Sequence, residues 1–235
     1  MPPVQLSHQH RCSHGPLRMQ RRDFDALVDA VNPDLEHVRA LTFDLFGTVL
    51  DLGGSLTPSI GTFLREQGSL VDPTAFWAQL CSRQRIERYQ DSLLHLGHSG
   101  YIETVAKAFS YVCSANGLDP PQKEIAAWME HWQLLSPIPE VVPPLERLRR
   151  RFKLVALSNG NPRFLEHLVA NRIQYDFDKV VSVELVEVFK PAPAVYRRAA
   201  RELDLEPGEL IMVSANSFDV LGARTCGLRG VYVNR

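Results

Sequence analysis

The chain has 235 residues, 45% of them hydrophobic and 23% charged, enough to bury one globular core or a core with a smaller insert, which excludes disorder throughout. Its 26 Lys and Arg against 27 Asp and Glu leave a net charge of -1, so nothing pulls it in bulk toward nucleic acid or an anionic membrane, and neither is expected as a partner. Cys12, Cys81, Cys113 and Cys226 form no Cys-x-x-Cys pair, which argues against a zinc knuckle, a redox motif or a disulfide framework and favours a reducing, cytoplasmic setting.

Residues 1–22 lack any acid and hold Arg11, Arg18, Arg21 and Arg22 beside His8, His10, His14 and Cys12. They read as a disordered leader or a misplaced start, in preference to an organelle-targeting peptide or a metal site. No apolar run reaches the roughly 20 residues that a spanning helix needs. A core is expected over 23–54 and 139–235. Its first strand is Arg39 to Asp44, followed by Gly47 and Thr48. A helical cap is expected over 55–138: Thr57-Pro58 opens a first helix, and Phe76, Trp77 and Leu80 mark a second. Tyr101, Val105, Ala108, Phe109 and Val112 form a third, closed by Gly117, and Ile125, Trp128, Met129, Trp132 and Leu135 a fourth. The Trp128, Met129 and Trp132 stripe reads as the cap's own core; exposed, it would favour a homodimer. Pro137, Pro139, Pro143 and Pro144 suit a linker that carries no helix.

Four more apolar runs follow: Phe152 to Leu157, Lys179 to Val183, Glu209 to Val213 and Arg229 to Val233. Between them Asn161-Pro162 looks like an N-cap with Pro at the first helical position, and Tyr196, Ala199, Ala200 and Leu203 recur at helical spacing. The alternation predicts an α/β protein with a doubly wound, five-stranded, Rossmann-like parallel sheet and an inserted helical cap. Ligands sit at the carboxyl ends of such strands, where the sequence has Asp44 with Thr48, Ser158 with Asn159, Lys190, and Ser214, Asn216 and Asp219. Each alone has a plain role as a cap, a turn or a solvated side chain. Together, two carboxylates, an ammonium and several hydroxyls on one rim point to a reaction site.

Phe43-Asp44-Leu45-Phe46-Gly47-Thr48, Leu157-Ser158-Asn159-Gly160, Lys190-Pro191 and Ser214 to Asp219 resemble, in order and spacing, the four motifs of the haloacid dehalogenase superfamily over roughly residues 39 to 235. The superfamily's phosphatases place a second Asp two residues after the first, where this chain has Phe46, and an Asp five residues before the final acid, where it has Ser214. A phenyl ring transfers no proton, and magnesium favours anionic oxygens, so both departures point away from a phosphatase. Lys190 followed by Tyr196, and Ser214-Ala215-Asn216-Ser217-Phe218-Asp219, are similar to the 2-haloacid dehalogenase branch.

That resemblance implies metal-independent hydrolysis of short 2-haloalkanoic acids to 2-hydroxy acids, without a cofactor, with inversion and an ester on Asp44. It implies that Lys190 neutralises Asp44, with Thr48 and Ser214 as hydrogen-bond partners, and that Ser158 and the Asn159 backbone hold the substrate carboxylate. Asn216 and Asp219 would position water, Phe46 and Phe218 would wall the pocket, and Tyr196 would support the charged groups or simply pack. The partners implied are a small 2-halo carboxylate and the halide it releases. The branch also carries an Arg early in the cap. Laid on Leu80 to Glu87, its pattern puts Ser82 at that position, so Arg83 beside it, Arg85 or Arg88 would have to serve, unless all three form a solvated face. Three alternatives stay open: a relative that opens a strained ring such as azetidine-2-carboxylate, a magnesium-dependent phosphatase, and an idle member kept as a binding module.

Overall fold

The computed structural model describes residues 35–94 and 97–235; the expected leader at 1–22, and residues 23–34 of the expected core, lie outside them. Five strands form one sheet: β1 (Ala40–Phe43), β4 (Lys153–Ser158), β5 (Lys179–Ser182), β6 (Leu210–Ser214) and β7 (Arg229–Tyr232). Their order is β5-β4-β1-β6-β7 and every pairing is parallel, with Phe43 opposite both Ala156 and Val213. β1 and β6 are buried throughout, and β4 in all but its first residue, as befits strands covered by helices on both faces. The chain winds from β1 toward β5 and then crosses to the other side for β6 and β7. Its direction reverses at β1, which opens a crevice above the carboxyl ends of β1, β4 and β6.

A second pairing, too short to see in the sequence, joins β2 (Leu50–Asp51) to β3 (Ser136–Pro137) in antiparallel register. It closes the base of a helical insertion so that the insertion leaves and returns beside the turn after Asp44. The first inserted helix, α1 (Leu52–Glu66), starts earlier than Thr57-Pro58 suggests, because the Asp51 carboxylate accepts from Gly54 N at 2.8 Å and caps it there, leaving Pro58 inside the helix. α2 (Pro73–Leu93) is capped by Asp72 and buries Phe76 and Leu80, then Gln84, Glu87 and Asp91, so its inner face turns polar halfway along. α3 (Tyr101–Ala115) buries the expected stripe from Tyr101 to Val112, and Gly117 ends it at φ 74°. α4 (Gln122–Met129) tightens into a 3₁₀ turn at Glu130–Leu134. Trp128, Met129 and Trp132 are buried inside the insertion.

The proline-rich return contains a helix after all, α5 (Val142–Leu148): Pro143 and Pro144 sit in its first turn, where a missing N–H costs no hydrogen bond. α6 (Pro162–His167) begins as Asn161-Pro162 suggests, with Asn161 Oδ1 accepting from Phe164 N at 2.8 Å. α7 (Pro193–Leu203) buries Tyr196, Ala199 and Ala200, and α8 (Ser217–Thr225) links β6 to β7. Among the described residues, no helix is long and apolar enough to cross a membrane.

Candidate active site

Asp44 is the first residue past β1, and its backbone N–H still donates to Val213 O at 3.0 Å, which pins it to the sheet. Its buried carboxylate accepts from Lys190 Nζ at 3.1 Å on one oxygen and from Thr48 Oγ1 at 2.9 Å on the other. Lys190 Nζ also donates to Asp219 Oδ2 at 2.9 Å, and the Tyr196 hydroxyl donates to Asp219 Oδ1 at 2.6 Å. Thr48, Asp44, Lys190, Asp219 and Tyr196 thus form one hydrogen-bonded chain, and the side chains of Asp44, Lys190 and Asp219 are each less than a tenth exposed. Charges so far from water persist only when paired and hydrogen-bonded, as these are.

Burial pushes the Asp44 carboxyl above its ordinary 3.8, with the Lys190 ammonium opposing and the Asp219 charge adding to the rise. Burial alone would lower Lys190, but the two carboxylates outweigh it and hold the amine above 10.5, so it stays an ammonium. Tyr196, raised by burial and then by Asp219, stays a phenol and serves only as a donor to that carboxylate. Its helical register permits plain packing, and the structure adds the hydrogen bond.

Lys190 is held from behind. Its backbone N–H donates to Asn159 Oδ1 at 3.0 Å, a role for the Asn159 side chain that the sequence does not announce. Gly222 of α8 lies against the same loop, where an added Cβ would fall 2.6 Å from Pro191 Cβ. Ser158, fully buried at the end of β4, has Oγ without a partner among the described residues. Ser214, expected to bond Asp44, instead accepts from Asn216 N at 3.0 Å, because β6 turns there into α8. The hydroxyl that reaches Asp44 is that of Thr48, itself fixed by Ala215 N at 2.9 Å. Asn216 caps α8 by accepting from Phe218 N at 3.0 Å, and Phe218 is half-exposed at the rim.

A small cleft opens over these groups. Asp44, Asn159, Lys190 and Asp219 line it with Asn216 and Phe218, and Arg85, Arg88 and Tyr89 of α2 line it too. Arg83 is not among them: it donates to Glu87 Oε1 at 2.7 Å and lies 3.8 Å over the Tyr111 ring. At about 100° per residue, Arg85 and Arg88 share a helix face that Arg83 does not, and Glu87, four residues on, holds Arg83 on its own side. Phe46, two residues past Asp44, belongs to a ring cluster and is not among the residues that line the cleft: it stacks on Tyr101 at 4.5 Å, near Phe164 at 5.8 Å, with Trp132 edge-on at 6.1 Å.

Lys190 Nζ stands between the Asp44 and Asp219 carboxylates, and among the described residues no three His, Cys, Asp or Glu side chains group as metal ligands. A wider groove runs behind the Gly47–Val49 turn, past Trp77, Pro143 and Arg235, but neither Lys190 nor either of its two carboxylate partners lines it. Arg235 closes one end, donating to Thr48 O at 3.0 Å and to Glu140 at 2.8 Å.

A family model described as haloacid dehalogenase-like hydrolase matches residues 38–227. The chain is 31% identical over 199 residues to an (S)-2-haloacid dehalogenase of Xanthobacter autotrophicus, spanning 84% of this chain and 76% of that one. It is 29% identical over 203 residues to an (S)-2-haloacid dehalogenase of Pseudomonas sp. (strain YL), spanning 86% and 84%. Among solved structures, the L-2-haloacid dehalogenase of Xanthobacter autotrophicus with chloropropionic acid covalently bound aligns at a TM-score of 0.75 with 28% identity, over 84% of this chain and 78% of that one.

Proposed function

Because the chain belongs to the haloacid dehalogenase-like hydrolases, we propose that it hydrolyses the carbon–halogen bond of short 2-haloalkanoic acids through an ester on Asp44, without a metal. The observation that carries this reading is a buried carboxylate paired with an ammonium and a hydroxyl, with Phe46 where a phosphatase would need an acid. The relatives named for 2-haloacids support the substrate class, and the one holding covalently bound chloropropionic acid supports the covalent route. A magnesium ion does not fit the residues present, since the ammonium occupies the space between the two carboxylates and Ser214 offers no charge.

In the proposed reaction an Asp44 oxygen attacks the α carbon from behind, the carbon–oxygen bond forms as the halide leaves with the bonding electrons, and the carbon inverts. Lys190 and Thr48 hold the carboxylate in position. The free Ser158 hydroxyl and the Asn159 backbone receive the substrate carboxylate. Backside attack sends the halide away from Asp44, toward α2 and its Arg85 and Arg88. Water then adds to the ester carbonyl of Asp44, oriented by Asn216 and by Asp219, which takes its proton; as the acyl–oxygen bond breaks, Asp219 returns that proton to the departing alkoxide to give the 2-hydroxy acid, and Asp44, left as the acid, loses its proton to water and is restored. We read the helices over 55–138 as a cap that shuts this chemistry away from bulk water.

The test is halide release from racemic 2-chloropropionate in EDTA, alongside phosphate-ester hydrolysis with added magnesium. Release that survives EDTA is expected; phosphate release alone would sink the reading. The arginines give a second expectation. Hydrogen bonds to charged groups are worth about 1.5–3 kcal/mol, so Arg85→Met and Arg88→Met should each lower kcat/KM by roughly 10–100-fold, while Arg83→Met stays within about threefold. Equal losses at all three would mean that the cleft arginines make no particular contact with substrate or halide.

A further inference from the structure

The inner face of α2 stops being aliphatic after Leu80. Gln84 comes next, only 8% exposed, and its Nε2 is buried without a partner among the described residues. One turn on, Arg88 has Nε buried and unpartnered too, with its guanidinium 5.9 Å from the centre of the Tyr101 ring. The Gln84 amide lies close enough to the Tyr101 phenol to interact with it; burial pushes that phenol up to about 12, against the opposing Arg88 charge and the Gln84 amide, so it remains a hydroxyl able to donate onward. Tyr101 in turn stacks flat on Phe46, two residues past Asp44. The Trp132 indole, edge-on to both rings, also keeps Nε1 unpartnered. A box shaped only for a methyl or ethyl group gains nothing from such donors, since every buried one left unpaired costs stability.

The proposed reaction accounts for three directions around the α carbon: Asp44 behind it, the halide toward Arg85 and Arg88, and the carboxylate at Ser158. The remaining direction, that of the last substituent, leads toward the Phe46–Tyr101 stack, whose Tyr101 phenol is near enough to Asp44 for its charge to act on it. We propose that this substituent bears an uncharged oxygen that accepts hydrogen bonds from Gln84 and Tyr101, making the substrate a short 2-halo acid with a β-hydroxyl or β-carbonyl group. The inference rests on the dehalogenase reading for where the acid sits, and adds what its side chain must be. Neutral donors suit a neutral acceptor; Ser158 and the Asn159 backbone already answer the carboxylate, and Arg85 and Arg88 the departing halide.

The test compares chloride release from 2-chloro-3-hydroxypropanoate and 2-chlorobutanoate, which match in size and differ in ending on a hydroxyl or a methyl. The wild-type protein should favour the hydroxy acid by at least about tenfold in kcat/KM, because a site built to hydrogen-bond a hydroxyl discriminates strongly against its absence. Gln84→Leu should move the ratio by about 100-fold toward 2-chlorobutanoate, and Tyr101→Phe, which keeps the stack, should move it the same way. A wild-type preference for 2-chlorobutanoate, or variants that slow both acids equally, would overturn the proposal and leave the dehalogenase reading intact. If neither acid loses chloride, that reading fails and binding decides: glycerate should still bind at least about tenfold tighter than 2-hydroxybutanoate, and equal affinities overturn the inference.

Discussion

Asp44→Asn is expected to lower halide release from 2-chloropropionate by about 10⁴-fold or more while the protein stays folded. The proposed nucleophile is this carboxylate, held with one oxygen on Lys190 and the other on Thr48. A carboxamide preserves the shape and the Thr48 contact but not the nucleophile, and the Lys190–Asp219 pair remains to keep the ammonium compensated. The comparison is made by chloride assay and circular dichroism on both proteins. Turnover within tenfold of wild type would mean that another group attacks the carbon, or that water does so directly.

Lys190→Met should cost both turnover and stability. Removing the ammonium leaves Asp44 and Asp219 buried with no cation between them, and breaking a buried pair in this way costs about 3–5 kcal/mol. Turnover should acquire a higher acid limit, because the ammonium is what opposes burial in setting the Asp44 carboxyl, already above 3.8. The stability profile has its own sign. Lys190 is raised above 10.5, so its contribution is fully present below that pH and is lost as pH climbs through its higher folded value. Asp44, raised above 3.8, contributes fully below that pH and progressively less above it, so its ionised form at neutral pH works against the fold. Urea unfolding across pH should therefore show the wild type falling at the alkaline end and the variant lacking that fall. Equal stabilities at neutral pH would remove the compensating role assigned to the ammonium.

The sheet is legible in the chain because its strands are short apolar runs with polar residues at or just past their ends, and the central strands β1, β4 and β6, buried on both faces, leave the clearest trace. The β2–β3 pair is not, since two residues carry no period. α1 starts where Asp51 caps it, and Pro58 misleads because proline also sits inside helices whose turn tolerates it. The polar site residues are legible through their positions at strand ends. What they contact is only partly so: Thr48, not Ser214, bonds Asp44, and the Asn159 side chain holds the Lys190 backbone. The arginines show the finer limit. Spacing along α2 places Arg83 next to Ser82, but the Glu87 contact takes it away, and Arg85 and Arg88 line the cleft. Nor does sequence pair Phe46 with Tyr101 and Trp132, which belong to separate elements and meet only where the insertion rests on the core.

The strand at the centre of the sheet is also the first of the described strands to leave the ribosome, and both its neighbours, β4 and β6, follow only after the whole insertion has been made. Until then Ala40–Phe43 has two bare edges, the condition under which nascent chains pair with one another. The inserted helices face no such wait, since Phe76, Phe109 and Trp128 pack against each other within the insertion. Synthesis thus favours a folded helical body ahead of a finished sheet, and a chain arrested before Asp219 lacks one of the two carboxylates that Lys190 joins. Premature products should accordingly be sticky, and the Asp44–Lys190–Asp219 chain closes only once the turn after β6 has been made.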